Sequence, residues 1–96
     1  VPGLDAIYVG PSDLSISLGC AAKLDGLDAK AEDAVQTILA KAKAAGVMPG
    51  IHTGSVEGAL KRAGEGFRFV SVGSDAIFVA QGSAATVAAM REGLKG

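Results

Sequence analysis

Apolar and polar positions follow two rhythms along this chain. Short, largely apolar runs occur at Ala6-Ile7-Tyr8-Val9, from Val47 to Thr53 and from Phe67 to Val72, each bounded by Gly or Asp. Runs this short, rich in β-branched and aromatic side chains, predict buried strands rather than helices. Pro49 puts the start of the second strand near Gly50, since a proline is tolerated at a strand's edge. Between the runs the spacing changes to three and four. Ala31, Ala34, Val35, Ile38, Leu39, Ala42 and Ala45 mark one face of a helix over 29–45, with Asp28 as N-cap and Gly46 as stop. Ser55 opens a second helix running to about Ala63, with Ala59, Leu60 and Ala63 as its buried stripe and Gly64 and Gly66 closing it. A last helix is predicted over 76–95, broken at Gly82-Ser83, with Val87, Met90 and Leu94 on its buried side. Leu14 to Leu18 fits either one helical turn or an extended connection, and Gly19 to Asp28 reads as a loop.

Strands alternating with helices predict an α/β fold with a parallel sheet and right-handed crossovers. Three parallel strands need cover on both faces, and three helices cover only one well. A complete (β/α)8 TIM barrel takes about 250 residues. Residues 1–96 therefore read as one partial domain, three β/α units of such a barrel, incomplete as given. The chain opens at Val1 without a Met, a few residues before its first strand, which suggests a piece of something longer.

Composition narrows the function. Apolar residues make up 49% of the chain, with one Tyr, three Phe and no Trp, so the core is built from Ala, Val, Ile and Leu. A net charge of −1 with both signs interspersed leaves no electrostatic footprint for nucleic acid or an anionic membrane. No leader-like or bilayer-length stretch is present, so the expected location is the cytoplasm. The one cysteine, Cys20, rules out an intramolecular disulfide and has no His or Lys beside it to activate it.

Candidate chemistry gathers at Gly10-Pro11-Ser12-Asp13. Gly10 and Pro11 end the first strand, and Asp13 arrives at its carboxyl end, where parallel α/β folds usually place their sites. Asp13 is either a site carboxylate or a helix cap. Gly73-Ser74-Asp75 repeats this turn chemistry, with the same two readings for Asp75. His52, the only histidine, reads as a base, a ligand or a hydrogen-bonded pocket wall. Lys41, Lys43, Lys61 and Arg62 fall on helix faces opposite the apolar stripes, where solvent is the usual neighbour. No predicted strand contains a lysine, which argues against Schiff-base chemistry.

Gly3-Leu4-Asp5-Ala6-Ile7-Tyr8-Val9-Gly10-Pro11-Ser12-Asp13-Leu14-Ser15 resembles the signature near the sixth strand of the HpcH/HpaI aldolase family. Ala45-Gly46, Gly50-Ile51-His52-Thr53 and Phe69-Val70-Ser71-Val72-Gly73-Ser74-Asp75 resemble later parts of the same family at matching distances. The resemblance implies the C-terminal three units of a barrel of the phosphoenolpyruvate/pyruvate-binding type. It implies a class II aldolase, a lyase that splits a 4-hydroxy-2-oxo acid into pyruvate and an aldehyde through a metal-stabilised enolate. It implies a divalent cation (Mg, Mn or Co) with Asp13 as ligand, and Ser12 and Asp13 amides holding the pyruvate carboxylate. Gly10 and Pro11 would shape that turn, and His52 would line the pocket where many relatives carry an apolar residue.

The resemblance places the second metal carboxylate, the catalytic His and an Arg for the oxo group upstream of Val1. No catalytic residue is therefore identifiable here, and the 96 residues alone are expected to be inactive. A homo-oligomer is expected. The contrasting reading is a non-catalytic α/β module whose turn binds a small anion.

Overall fold

The structure, a computed structural model, describes residues 1–96. Seven elements follow in order: β1 (Ala6–Val9), α1 (Pro11–Ser17), α2 (Ala29–Ala45), β2 (Met48–Thr53), α3 (Val56–Glu65), β3 (Phe69–Val72) and α4 (Asp75–Lys95). The strands form one parallel sheet in the order β1-β2-β3. A small parallel α/β unit of this kind is compatible with part of a barrel.

The side-chain period of two sorts each strand between two faces. Val9 and Ile51 point to one side, where they meet Val35 and Leu39 of α2 and Phe67, with Leu14, Ile38 and Val70 packed around them. Full burial of side chains such as Ile51, Val35 and Leu39 stabilises the unit by about 1.5–3 kcal/mol each. The register pairs Ala6 with Met48, Tyr8 with Gly50, Gly50 with Phe69 and His52 with Ser71, which puts all seven on the other face. No helix of the chain covers that face: Tyr8, Met48 and Phe69 remain about half exposed. A shallow concavity of ≈ 300 Å³ there is lined by Ala6, Ile7, Tyr8, Met48 and Phe69.

Several local expectations are corrected. β2 begins at Met48, two residues before Gly50, and so contains Pro49. The Pro49 carbonyl accepts from the Arg68 N–H on the β3 side, so its missing N–H also faces that side, one residue before pairing with β3 begins. Nothing in the ladder is lost. β3 begins at Phe69 rather than Phe67, because the Phe67 N–H donates to the Arg62 carbonyl and finishes α3 instead. Gly66 makes this reversal in the left-handed conformation, as Gly46 does for α2, where the Val47 N–H reaches the Ala42 carbonyl. Of the two readings of Leu14 to Leu18 the helical one holds, within a helix that starts at Pro11.

The final helix runs unbroken through Gly82-Ser83. Its expected buried side is corrected too: Val87, Met90 and Leu94 are exposed, as is every residue beyond Ile77, because the helix projects away from the sheet. No helix is long and apolar enough to cross a membrane.

The inner side of α3 is the largest correction. Leu60 is 69% exposed and Ala63 is exposed, Ala59 is only half-buried, and Arg62, expected in solvent, is buried. Its guanidinium makes a two-pronged bond to Glu32 of α2, at 2.6 and 2.8 Å, and a third to Glu65 at 3.0 Å. Gln36 bridges Glu32 and Glu65, and the Lys43 ammonium donates to the Glu65 carbonyl. A planar five-donor group can be buried when carboxylates meet its fork in this way. A pairing across 30 residues is invisible to a helical-wheel argument.

The Arg62 guanidinium pulls the Glu32 carboxyl down from 4.5 to about 2, against the opposing cost of burial. A depressed folded-state value gives stability that is present above the unfolded value and lost as pH falls through the folded one. Glu32→Gln is expected to lower the unfolding free energy at pH 7 by about 3 kcal/mol, since it leaves a buried cation short of its partner. In denaturant titrations the gap to wild type should hold above roughly pH 5 and close towards about pH 2. A gap that stays constant across that window contradicts the assignment.

Candidate active site

At the carboxyl end of β1 the backbone leaves the sheet through Gly10, extended at φ −98 and ψ 97, which is the N-cap of α1. Pro11 follows at the first helical position, fully buried, where its missing N–H would have had no partner. The first bond of the helix runs from the Leu14 N–H to the Gly10 carbonyl at 2.9 Å. The Ser12 and Asp13 amides precede it and have no carbonyl one turn back to reach. The structure thus gathers Gly10, Pro11, Ser12 and Asp13 into one turn.

Asp13 is exposed, and no side chain caps α1. Its Oδ2 lies 3.5 Å from the point a Cβ on Gly10 would occupy, so the carboxylate folds back over the strand end. Asp75, in the first turn of the helix that follows β3, behaves differently. Ser74 caps α4 by accepting from Ile77, and Asp75 accepts from the Ala76 amide at 2.8 Å. Of the two rim carboxylates, Asp75 is occupied with its own helix and Asp13 is not.

His52 lies near the end of β2, half-buried on the open face. Its Nδ1 is 2.7 Å from Ser71 Oγ on β3, and Ser71 Oγ also bonds the Tyr8 hydroxyl on β1. No hydrogen bond joins His52 to Asp13, which sits on the neighbouring strand's exit. Tyr8 and Ser71 were missed in the sequence, because only the register places alternate residues of three strands on one face. Cys20 is half-buried, with Sγ 3.9 Å from the Leu18 carbonyl.

Asp25, in the loop before α2, was also missed. Its Oδ2 accepts from the Gly54 amide at 3.2 Å and the Ser55 hydroxyl at 2.8 Å, while Ser55 Oγ accepts from the Gly58 amide. A carboxylate at a helix N-terminus is electrostatically favoured. The start of α3, at the carboxyl end of β2, is therefore filled by the chain's own anion. Asp28 holds the N-cap position of α2 as expected, but its side chain makes no cap bond. Its carboxylate instead takes bonds from Lys23 and the Ala21 amide, which hold it below the usual carboxylate range and tie the loop together.

No group of three or more His, Cys, Asp or Glu side chains is placed to hold a metal ion. Asp13 offers one hard oxygen donor of the kind a divalent cation requires, and the chain does not close a donor set around it.

The family described as HpcH/HpaI aldolase/citrate lyase matches residues 1–81. The chain is 37% identical over 75 residues to a hydroxypyruvate/pyruvate aldolase of Rhizorhabdus wittichii, covering 78% of this chain and 30% of that protein. A protein of the same name from Paraburkholderia phytofirmans is 35% identical over 78 residues, covering 81% and 29%. A 4-hydroxy-2-oxo-heptane-1,7-dioate aldolase of Salmonella paratyphi B is 33% identical over 88 residues, covering 92% and 33%. The chain spans about a third of the length of the curated relatives it matches.

The seating of Asp25 makes a signed prediction. Gly→Ala inside a helix usually stabilises by about 1 kcal/mol. At Gly58 the new methyl would lie 2.7 Å from the Asp25 carboxylate carbon, and moving that group breaks two hydrogen bonds. Gly58→Ala should therefore destabilise by about 1–3 kcal/mol, and should become stabilising in an Asp25→Ala background. Additive effects in that double-mutant cycle would refute the contact.

Proposed function

The chain belongs to the HpcH/HpaI aldolase/citrate lyase family, and we propose that the protein it builds is an aldolase-type lyase. Its substrate is a 4-hydroxy-2-oxo acid, and its products are an aldehyde and a small 2-oxo acid, pyruvate or hydroxypyruvate. The observation that carries this reading is the Asp13 carboxylate, exposed at the exit of β1 and taken up by no cap of α1. Asp75, the first residue of α4, is by contrast bonded to the adjacent amide of its own helix.

In the proposed reaction the C3–C4 bond breaks as the 4-hydroxyl gives up its proton and becomes the aldehyde carbonyl. The bonding pair spreads from C3 onto the 2-oxo oxygen, and C3 then takes a proton. A divalent cation (Mg, Mn or Co), when bound, supplies Lewis acidity at that oxygen. Asp13 would give one of its oxygen ligands from a rigid strand exit, with the remaining ligands, and the base for the 4-hydroxyl, coming from residues outside these 96. The Ser12 and Asp13 amides would receive the substrate carboxylate, two donors fixed by the turn before any ligand arrives. Buried Pro11 and bare Gly10 hold that turn in shape and let the substrate approach the backbone.

Asp13→Asn in the complete protein is expected to lower kcat/KM for retro-aldol cleavage by about a hundredfold or more. Because the side chain is exposed, stability should change by no more than about 0.5 kcal/mol. Titration calorimetry with pyruvate should show binding that strengthens with Mg or Mn in wild type only. Full activity in Asp13→Asn overturns the reading, and pyruvate binding indifferent to metal favours an anion-binding module without catalysis.

A further inference from the structure

On the open face of the sheet, one polar side chain from each strand joins a single chain of hydrogen bonds. Tyr8 of β1 bonds Ser71 of β3, and Ser71 Oγ lies 2.7 Å from His52 Nδ1 of β2. Tyr8 reaches past the middle strand because its partner there is Gly50, which has no side chain to obstruct it. A Cβ at Gly50 would meet the Ile7 and Phe69 carbonyls at 3.1 and 3.2 Å, so the passage is kept by glycine. The Phe69 ring meets the Tyr8 ring edge-on, centroids 5.7 Å apart, and holds the phenol in place.

The order of the three groups sets the direction of the bonds. A serine hydroxyl has one proton and sits here between a phenol and an imidazole. Phenol is the strongest neutral donor of the three, and an imidazole nitrogen is the strongest acceptor. The cooperative arrangement therefore runs from Tyr8 O–H to Ser71 Oγ, and from Ser71 O–H to His52 Nδ1. With Nδ1 accepting, the neutral ring carries its proton on Nε2. Nδ1 is the ring atom that bonds Ser71, and Nε2 has no protein partner, on a ring that is only half-buried.

Resting on the aldolase reading above, we propose that Tyr8 and Ser71 are positioning residues that lock His52 as the Nε2–H tautomer. We assign that N–H as donor to the C3 hydroxyl oxygen of a bound 3-hydroxy-2-oxo acid. The carboxylate and oxo groups are assigned to the Asp13 turn on β1, and the adjacent strand lies roughly 4.8 Å away, within reach of the next carbon and its oxygen. A donor in this wall favours a substrate bearing an oxygen there over one ending in a methyl group.

Two measurements on the complete protein test this. In two-bond 1H–15N correlation spectra, with the His52 signal assigned by its loss in His52→Gln, wild type should show the Nε2–H pattern. Ser71→Ala should shift it towards a tautomer mixture, with Tyr8→Phe intermediate. In aldol addition to a common aldehyde, the kcat/KM ratio of hydroxypyruvate to pyruvate should fall about tenfold in His52→Leu. It should fall less in Ser71→Ala, and be partly restored in His52→Gln, whose amide keeps an N–H. Thermal melts identify any variant that fails to fold.

An Nδ1–H pattern in wild type, or one unchanged by Ser71→Ala, overturns the lock. A substrate ratio unmoved by His52→Leu overturns the contact. Absence of aldol activity with either donor in wild type removes the aldolase reading and the contact together, while the tautomer result still decides the lock.

Discussion

One-sided burial of a three-stranded parallel sheet governs this chain. Alternate residues of each strand must face opposite ways, and α2 and α3 cover one side only. Val9, Ile51 and Thr53 are driven under the helices, so Tyr8, His52, Phe69 and Ser71 are left together on the far side. The grouping proposed to act on substrate is thus a by-product of the packing. A slip of one residue in register would send His52 into the core and Ile51 to the open face.

Polar interactions then hold the covered side in place. Arg62, Glu32 and Glu65 fix α3 to α2, and Asp25 pins the long loop to the start of α3. Neither involves the residues assigned to substrate. One buried group resists explanation: the Ser15 hydroxyl is fully enclosed without a partner, and nothing in the structure accounts for it.

Much of this was legible from residue types. The α2 stripe holds at Ala31, Val35, Leu39 and Ala42, because a seventeen-residue helix gives its period room to show. Both glycine stops, the Ser55 cap and the turn at Gly10 were readable because they are local chemistry. The failures share one cause. Leu60 and Arg62 exchanged expected places because Glu32, far away in sequence, satisfies the guanidinium. Val87, Met90 and Leu94 carry a core-like pattern on a part of α4 where every residue is exposed. Tyr8 and Ser71 escaped notice for the same reason, since their meeting depends on Gly50 between them. Asp13 stands at the strand exit as its sequence position implies, and what separates it from Asp75 is a hydrogen bond that only Asp75 makes.

The proposed chemistry requires Asp13 to give its oxygen to a cation rather than to the fold. Paramagnetic broadening by substoichiometric Mn2+ in the 15N-labelled complete protein tests this most directly. Amide signals of Gly10 and of residues 12–14 should fade first, those of Thr53 and Gly54 at the neighbouring strand end next, and the effect should vanish in Asp13→Asn. Broadening centred elsewhere, or unchanged by that substitution, would contradict it.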